Sequence, residues 1–192
     1  MQKAIALVTA LLAFPAWASD FPKGYESIGK YELSVNGTPV TLTSVTSEAD
    51  EYSDLYFTFG EAMAGGTVTS YTVQATAGLK EYSEGKPPVF SVEFDLDPKT
   101  GNLIPVRVIL VDQTWDTPLA TYPYDNRKSI RVDNLVFRNN GKISFDITAD
   151  LTRLNWDTYK PVQGSERVRV QGHYSGKFPK FFLENQRIFG DD

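Results

Sequence analysis

The chain has no cysteine, and only one histidine among its 192 residues. The first absence excludes disulfides, thiolate metal sites and thiol redox chemistry, so the fold must rest on its core. The second leaves His173 as the only imidazole. A hydrolytic triad built on it needs a serine elbow, and no Gly-x-Ser-x-Gly occurs; Gly172-His173-Tyr174-Ser175-Gly176 is not that motif. A zinc site would have to lean on carboxylates alone beside it, so neither a metal nor any other cofactor is expected. Basic excess is also lacking: 19 Lys and Arg against 24 Asp and Glu give a formal charge of −5. That balance argues against nucleic acid, which calls for clustered Lys and Arg. There is no phosphate loop and no dinucleotide fingerprint. No segment holds a helical 3.6 period, and no apolar run reaches the ~20 residues that span a bilayer.

What is present begins at the N-terminus. Met1-Gln2-Lys3 supplies a positive start, Ala4 to Ala13 an apolar run, and Phe14-Pro15 a break. Ala16-Trp17-Ala18 then places small residues where a signal peptidase reads them. Residues 1–18 therefore read as a cleaved secretory signal peptide, and the expected location is exported, periplasmic or extracellular, with no membrane span after cleavage. Residues 19–29 are polar, with Pro22, Gly24 and Gly29, and read as a flexible lead. Residues 30–192 read as one domain, long enough to bury a core without staples.

Strand signals follow one another through that domain. Tyr31, Leu33 and Val35 alternate with polar neighbours up to Asn36-Gly37, a strong hairpin turn signal, and Val40 and Leu42 resume the period. Asn36-Gly37-Thr38 also matches a glycosylation acceptor, but the turn explains both flanks. Leu55, Phe57 and Phe59 form the next run, and between Val68 and Tyr71 the apolar phase shifts as a β-bulge would shift it. Phe90 to Leu96 and Ile104 to Leu110 flank a turn at residues 97–102. In the second of these, Ile109 and Val111 make the other face apolar too, so it reads as covered on both sides. Runs at 130–138, 142–151 and 167–174 complete the pattern. The predicted fold is all-β: a single-domain antiparallel β-sandwich of about nine or ten strands, with a β-barrel as the alternative.

Two tryptophans remain after the leader, and both stand in the tripeptide Trp-Asp-Thr, at residues 115–117 and 156–158. Two Trp-Asp pairs 41 residues apart have the period of a propeller blade. A propeller is excluded because only two occur and no Gly-His precedes each. Each pair lies in a segment read as a long loop, 112–128 and 152–165. If each strand reverses its neighbour, these loops and loop 77–88 share one end, and the tight turns share the other. Loops at one end of a rigid β scaffold are where such folds bind. The candidate ligand-binding residues are Tyr82, Trp115, Asp116, Tyr122, Tyr124, Trp156, Asp157 and Tyr159. Flat rings beside carboxylates suit a sugar, whose C–H face stacks and whose hydroxyls donate, and they equally suit a protein partner. The competing reading is that the aromatics fold back to plug the core.

The expected function is a non-catalytic binding module for a glycan or an envelope protein. A carrier holding an apolar ligand between the β layers is the first alternative. A hydrolase using Asp116, Asp125 or Asp157 is the second, and any acid-rich chain offers such carboxylates. The polar stripes Lys142 to Asp150 and Arg167 to His173 read as neighbouring solvated strands with cross-strand pairs such as Asp146 with Arg169.

Overall fold

The computed structural model describes residues 23–61, 68–78, 87–97, 100, 102–122, 127–138 and 140–181. The expected leader, most of loop 77–88, and Tyr82 and Tyr124 lie outside them. Among the described residues the regular structure is almost all strand, 67% of those residues, and the strands are antiparallel. They are β1 (Glu26–Val35), β2 (Thr38–Ser47), β3 (Tyr52–Ser53), β4 (Leu55–Glu61), β5 (Val68–Gly78), β6 (Val89–Leu96), β7 (Leu103–Val111), β8 (Leu119–Ala120), β9 (Ile130–Phe137), β10 (Lys142–Asn155), β11 (Lys160–Pro161) and β12 (Val168–Lys177). Nine of the twelve are the long runs visible as period-two alternation; the others, β3, β8 and β11, are two residues each. β1 begins at Glu26, inside the stretch read as a lead, and Tyr25 packs against Tyr52 at 5.9 Å.

All twelve strands belong to one sheet, in the order β3-β2-β1-β12-β10-β8-β7-β6-β5-β4, with β9 and β11 attached to β10. A single pairing of β2 with β5, Thr43 opposite Gly78, returns the path on itself. The two layers of the fold are thus parts of one ring of hydrogen bonding. β1, β12, β10 and β9 face β4 to β7, and β2 and β8 turn the corners. Local chemistry fits this path. Asn36 and Gly37 both take positive φ, 49° and 88°, as a two-residue hairpin between β1 and β2 requires. The expected bulge is present: Gly60 pairs with Ser70 but Glu61 with Val68, so one residue of β5 is extra.

The core is built around two fully buried tyrosines, Tyr31 on β1 and Tyr174 on β12. Their rings lie 4.5 Å apart, and Phe90 and Phe145 pack on Tyr31 at 4.9 and 6.1 Å. A buried phenol must place its hydroxyl. Tyr31 donates to the Ala75 carbonyl on β5 (2.9 Å), and Tyr174 donates to Ser44 Oγ on β2 (3.2 Å). Ser44 in turn donates to the Thr76 carbonyl. Burial pushes both phenols above the ordinary tyrosine range.

Glycine makes room for this arrangement. A Cβ at Gly176 would stand 2.6 Å from the Tyr174 hydroxyl oxygen. A Cβ at Gly172 would stand 2.8 Å from Leu33 Cα and closer still to the Glu32 carbonyl oxygen, both backbone atoms of β1. Backbone cannot swing aside as a long side chain can. We therefore expect Gly172→Ala to lower stability by about 2–4 kcal/mol in urea unfolding. An unchanged midpoint would contradict the β1–β12 register.

The tyrosines also set an alkaline limit. Their folded pKa lies above the unfolded value of about 10. The stabilising neutral form is therefore fully present below that value, and stability should fall as pH rises past it. Urea midpoints followed upward from pH ~8 should show this fall, and Tyr174→Phe should flatten it.

Candidate ligand-binding tip

The two Trp-Asp-Thr tripeptides meet at one end of the sheet. Arg153 and Leu154, near the end of β10, fix the first contact. The Arg153 guanidinium donates to both carboxylate oxygens of Asp112, at 2.9 and 2.6 Å, and to the Thr117 carbonyl at 2.7 Å. Both side chains are largely buried, and the Asp112 hydrogen bonds raise the Arg153 pKa further. Backbone bonds continue the seam: Leu154 N donates to Pro118 O, and Trp156 N to Asp116 O, each at 2.9 Å. The first tripeptide is therefore held against the second by main chain as well as by a two-pronged ion pair.

Each turn is also held internally. In the first, Asp116 N donates to Thr114 Oγ1 at 3.2 Å. In the second, Asn155 Oδ1 accepts from both the backbone N and the hydroxyl of Thr158, each at 2.9 Å. Tyr159 takes a left-handed φ of 52° and brings its ring to 5.4 Å from that of Trp156. The chain then re-enters the sheet through β11, Leu154 opposite Pro161.

The two tryptophans have different surroundings. Trp156 is partly buried and packs on a second small core of Val89, Ile109, Val111, Ala120 and Leu154. This core is the other covered face of β7 that Ile109 and Val111 predict. Trp115 is 48% exposed and Tyr159 53%. Asp116 and Asp157 are exposed, and neither forms an ion pair among the described residues. One tripeptide thus packs its tryptophan on a core and the other exposes it.

The segments read as long loops are divided. Residues 112–128 contain β8, which pairs with both β7 and β10 and buries Pro118, Leu119, Ala120 and Thr121. Tyr122 follows β8, where Thr121 N donates to Val108 O. It is exposed, but level with Val108 rather than with the tip. Residues 152–165 contain the end of β10, a four-residue turn and β11. The tip therefore gathers Trp115, Asp116, Trp156, Asp157 and Tyr159. Sequence reasoning missed the clamp between Asp112 and Arg153. Its only trace is a charged residue within two positions of the end of each of two apolar runs, which is common.

On the outer face of β1, β12, β10 and β9 the two polar stripes do stand side by side, but the ion pairs differ from the expected one. Register places Asp146 opposite His173 and Asp150 opposite Arg169. Asp146 accordingly bonds His173 Nδ1 at 2.7 Å and accepts from Asn134 Nδ2 at 2.6 Å, while Arg169 lies 3.6 Å from Asp150. The Asn134 hydrogen bond, and then that of His173, hold the Asp146 carboxyl below its usual range. Asp146 and Asn134 border an open trench of about 510 Å³. Its charges are matched internally, Arg131 by Asp133 and Lys30 by Glu32. Among the described residues no three His, Asp or Glu side chains gather as a metal site would need.

No protein-family model, curated protein or solved structure matches the chain.

Two outcomes follow for the tip. Arg153→Met leaves Asp112 without its cation and should cost about 1–3 kcal/mol in urea unfolding. After leader removal, tryptophan emission should be heterogeneous under acrylamide. Trp115→Phe should remove the red-shifted, readily quenched part and leave the protected part from Trp156.

Proposed function

We propose that the protein is an exported, non-catalytic binding module that recognises a glycan or an envelope protein through the tip formed by the two Trp-Asp-Thr turns. The observation that carries this reading is the exposure of Trp115 and Tyr159 on turns bonded to each other and to the sheet. Large rings left in water on an ordered scaffold offer contact area at small entropic cost, which is how binding surfaces use Trp and Tyr. Asp116 and Asp157 add acceptors for hydroxyl or ammonium donors. A sugar is the partner this reading favours, because an exposed aromatic ring suits stacking against a pyranose. Export rests on the leader-like residues 1–18, and an alkaline-phosphatase fusion to them would test it.

The two alternatives have less support. An apolar carrier needs interior volume, and the space between Phe57, Tyr71, Phe94, Leu135 and Phe137 measures about 10 Å³. That is the scale of a single water, far below the several hundred Å³ of a ligand pocket. A carboxylate hydrolase needs two acids at a fixed separation. Asp112 is committed to Arg153. Asp116 and Asp157 sit on turns with no side-chain bond fixing them among the described residues.

The test is a glycan array and an envelope-protein panel, followed by titration of the hits. Trp115→Ala should weaken binding by about tenfold or more and leave the unfolding midpoint unchanged. Trp156→Ala should lower stability by about 2 kcal/mol because it uncovers the second core. Full binding by Trp115→Ala would remove the tip from the reading.

A further inference from the structure

The ring of strands closes on a buried carboxylate, far from the tip in sequence. β2 and β5 share one ladder pair, Thr43 opposite Gly78. Past that pair Asp54 stands between the two strands and bonds both. Its backbone N donates to the Val45 carbonyl on β2 at 2.9 Å, and its carbonyl accepts from Thr76 N on β5 at 2.8 Å. Asp54 is 2% exposed, and its side chain bonds in the same place. Oδ2 accepts from Val45 N at 2.8 Å, and Oδ1 accepts from the Tyr52 hydroxyl at 2.6 Å. A second tie, from the Tyr174 hydroxyl through Ser44 to the Thr76 carbonyl, crosses the same corner.

Both carboxylate oxygens thus act as acceptors, which suits the ionised form, since an ionised carboxyl only accepts and its hydrogen bonds are about twice as strong as neutral ones. A proton on Oδ1 forces the Tyr52 hydroxyl to turn round and leaves Val45 N on a neutral acceptor. A proton on Oδ2 faces the Val45 N–H, which cannot accept it. Neither β2 nor β5 has an Asp, Glu, Lys, Arg or His, and β4 has only Glu61, at its far end. Among the described residues the other titratable groups that face Asp54 are phenols: Tyr52 on β3, Tyr174 on β12 and Tyr25 before β1. Phenols stay neutral in acid. Asp50, in the turn before β3, is exposed. On β1, Glu26 is exposed opposite Thr46, and Lys30 pairs with Glu32. We propose that Asp54 is an acid-sensitive latch. Ionised, it holds β2 to β5; on taking up a proton it lets this corner open while the other ladders stay paired. Leu42, Leu55 and Ala77 adjoin the bonded residues in sequence and belong to the core, so opening uncovers apolar surface.

The test is amide hydrogen exchange between pH ~7 and ~4, corrected for the intrinsic pH dependence of exchange. The Val45, Asp54 and Thr76 amides report the corner, and the amides of β10 and β12 report a ladder away from it. On acidification, protection at the corner should fall at least about fivefold more than protection in the ladder, the difference between a charge-assisted and a neutral hydrogen bond. Asp54→Asn, which cannot ionise, should show the loosened corner already at pH ~7 and no further acid response. Tyr52→Phe removes one donor to the ionised carboxylate and keeps the backbone bonds, so its corner should open at a higher pH. Asp50→Asn should leave the response as it is.

Unchanged protection of the corner over this range overturns the latch. So does a fall that the β10–β12 ladder shares, because the whole fold is then opening. An acid response that persists in Asp54→Asn belongs to another group and also overturns it. Should Asp54→Asn fail to fold, Tyr52→Phe decides: a response at the same pH as in the unaltered protein overturns the latch.

Discussion

Two phenol rings in the middle of an apolar core set the geometry of this molecule. Tyr31 and Tyr174 sit on neighbouring strands of one layer and are fully buried, and a buried hydroxyl left unpaired costs ~1–3 kcal/mol. Tyr31 reaches the Ala75 carbonyl of the opposite layer, and Tyr174 reaches the opposite layer through Ser44 and Thr76. The spacing of the layers is thereby tied to the length of a tyrosine side chain and to specific carbonyls. Apolar packing alone would tolerate small slides between layers. A hydrogen bond of 2.9 Å does not tolerate a slide by one residue, because the next carbonyl points away. The same demand explains the glycines beside Tyr174. Gly29 and Gly176 both stand where a Cβ would collide with its hydroxyl oxygen.

The corner opposite β2 is made by a different device. β8 is only two residues long, yet it pairs with both β7 and β10 and closes the ring there. Two residues of ladder are a weak joint, and Arg153 reinforces it. Its hydrogen bonds to Asp112 at the end of β7 and to the Thr117 carbonyl just before β8 bind all three strands at one point. The two tripeptides grow directly out of this joint. The tip is therefore tied to the corner beneath it, and the scaffold that carries its exposed rings is held by a largely buried ion pair.

Much of the fold was legible in the sequence. Period two over runs such as Ile143 to Leu151 yields the strands, because one face of each is buried and the other is not. Asn36-Gly37 and the slip at Val68 to Tyr71 were readable because turns and bulges have their own residue preferences. The two-residue strands were not, since two residues show no period. Ring closure was not either: it depends on Thr43 meeting Gly78, a long-range pairing with no local mark. The tyrosines alternate with polar residues as any apolar residue would, so the sequence placed them in the core without showing what their hydroxyls do. The cross-strand partner of Asp146 needed the register to within one pair, and the register comes from the β10–β12 ladder rather than from composition.

The repeated tripeptide illustrates how far local sequence determines environment. Trp115 and Trp156 have the same two residues after them, yet one ring is in water and the other covers a small core. The difference lies in what precedes them. Trp156 follows Leu154 and Asn155 at the end of a long strand, and its backbone still bonds the neighbouring turn. Its ring therefore joins Leu154 on the second core, with Ala120 and Val111, on the opposite side of β10 from the row Ile143 to Leu151. Trp115 comes four residues after β7 ends, past Asp112, whose side chain turns inward to Arg153. No apolar row is left to extend, and its ring stays outside. A tip with one anchored and one exposed tryptophan holds its shape and still presents a surface. With both rings buried no such surface would be presented, and with both exposed the second core would lose the cover that Trp156 gives it.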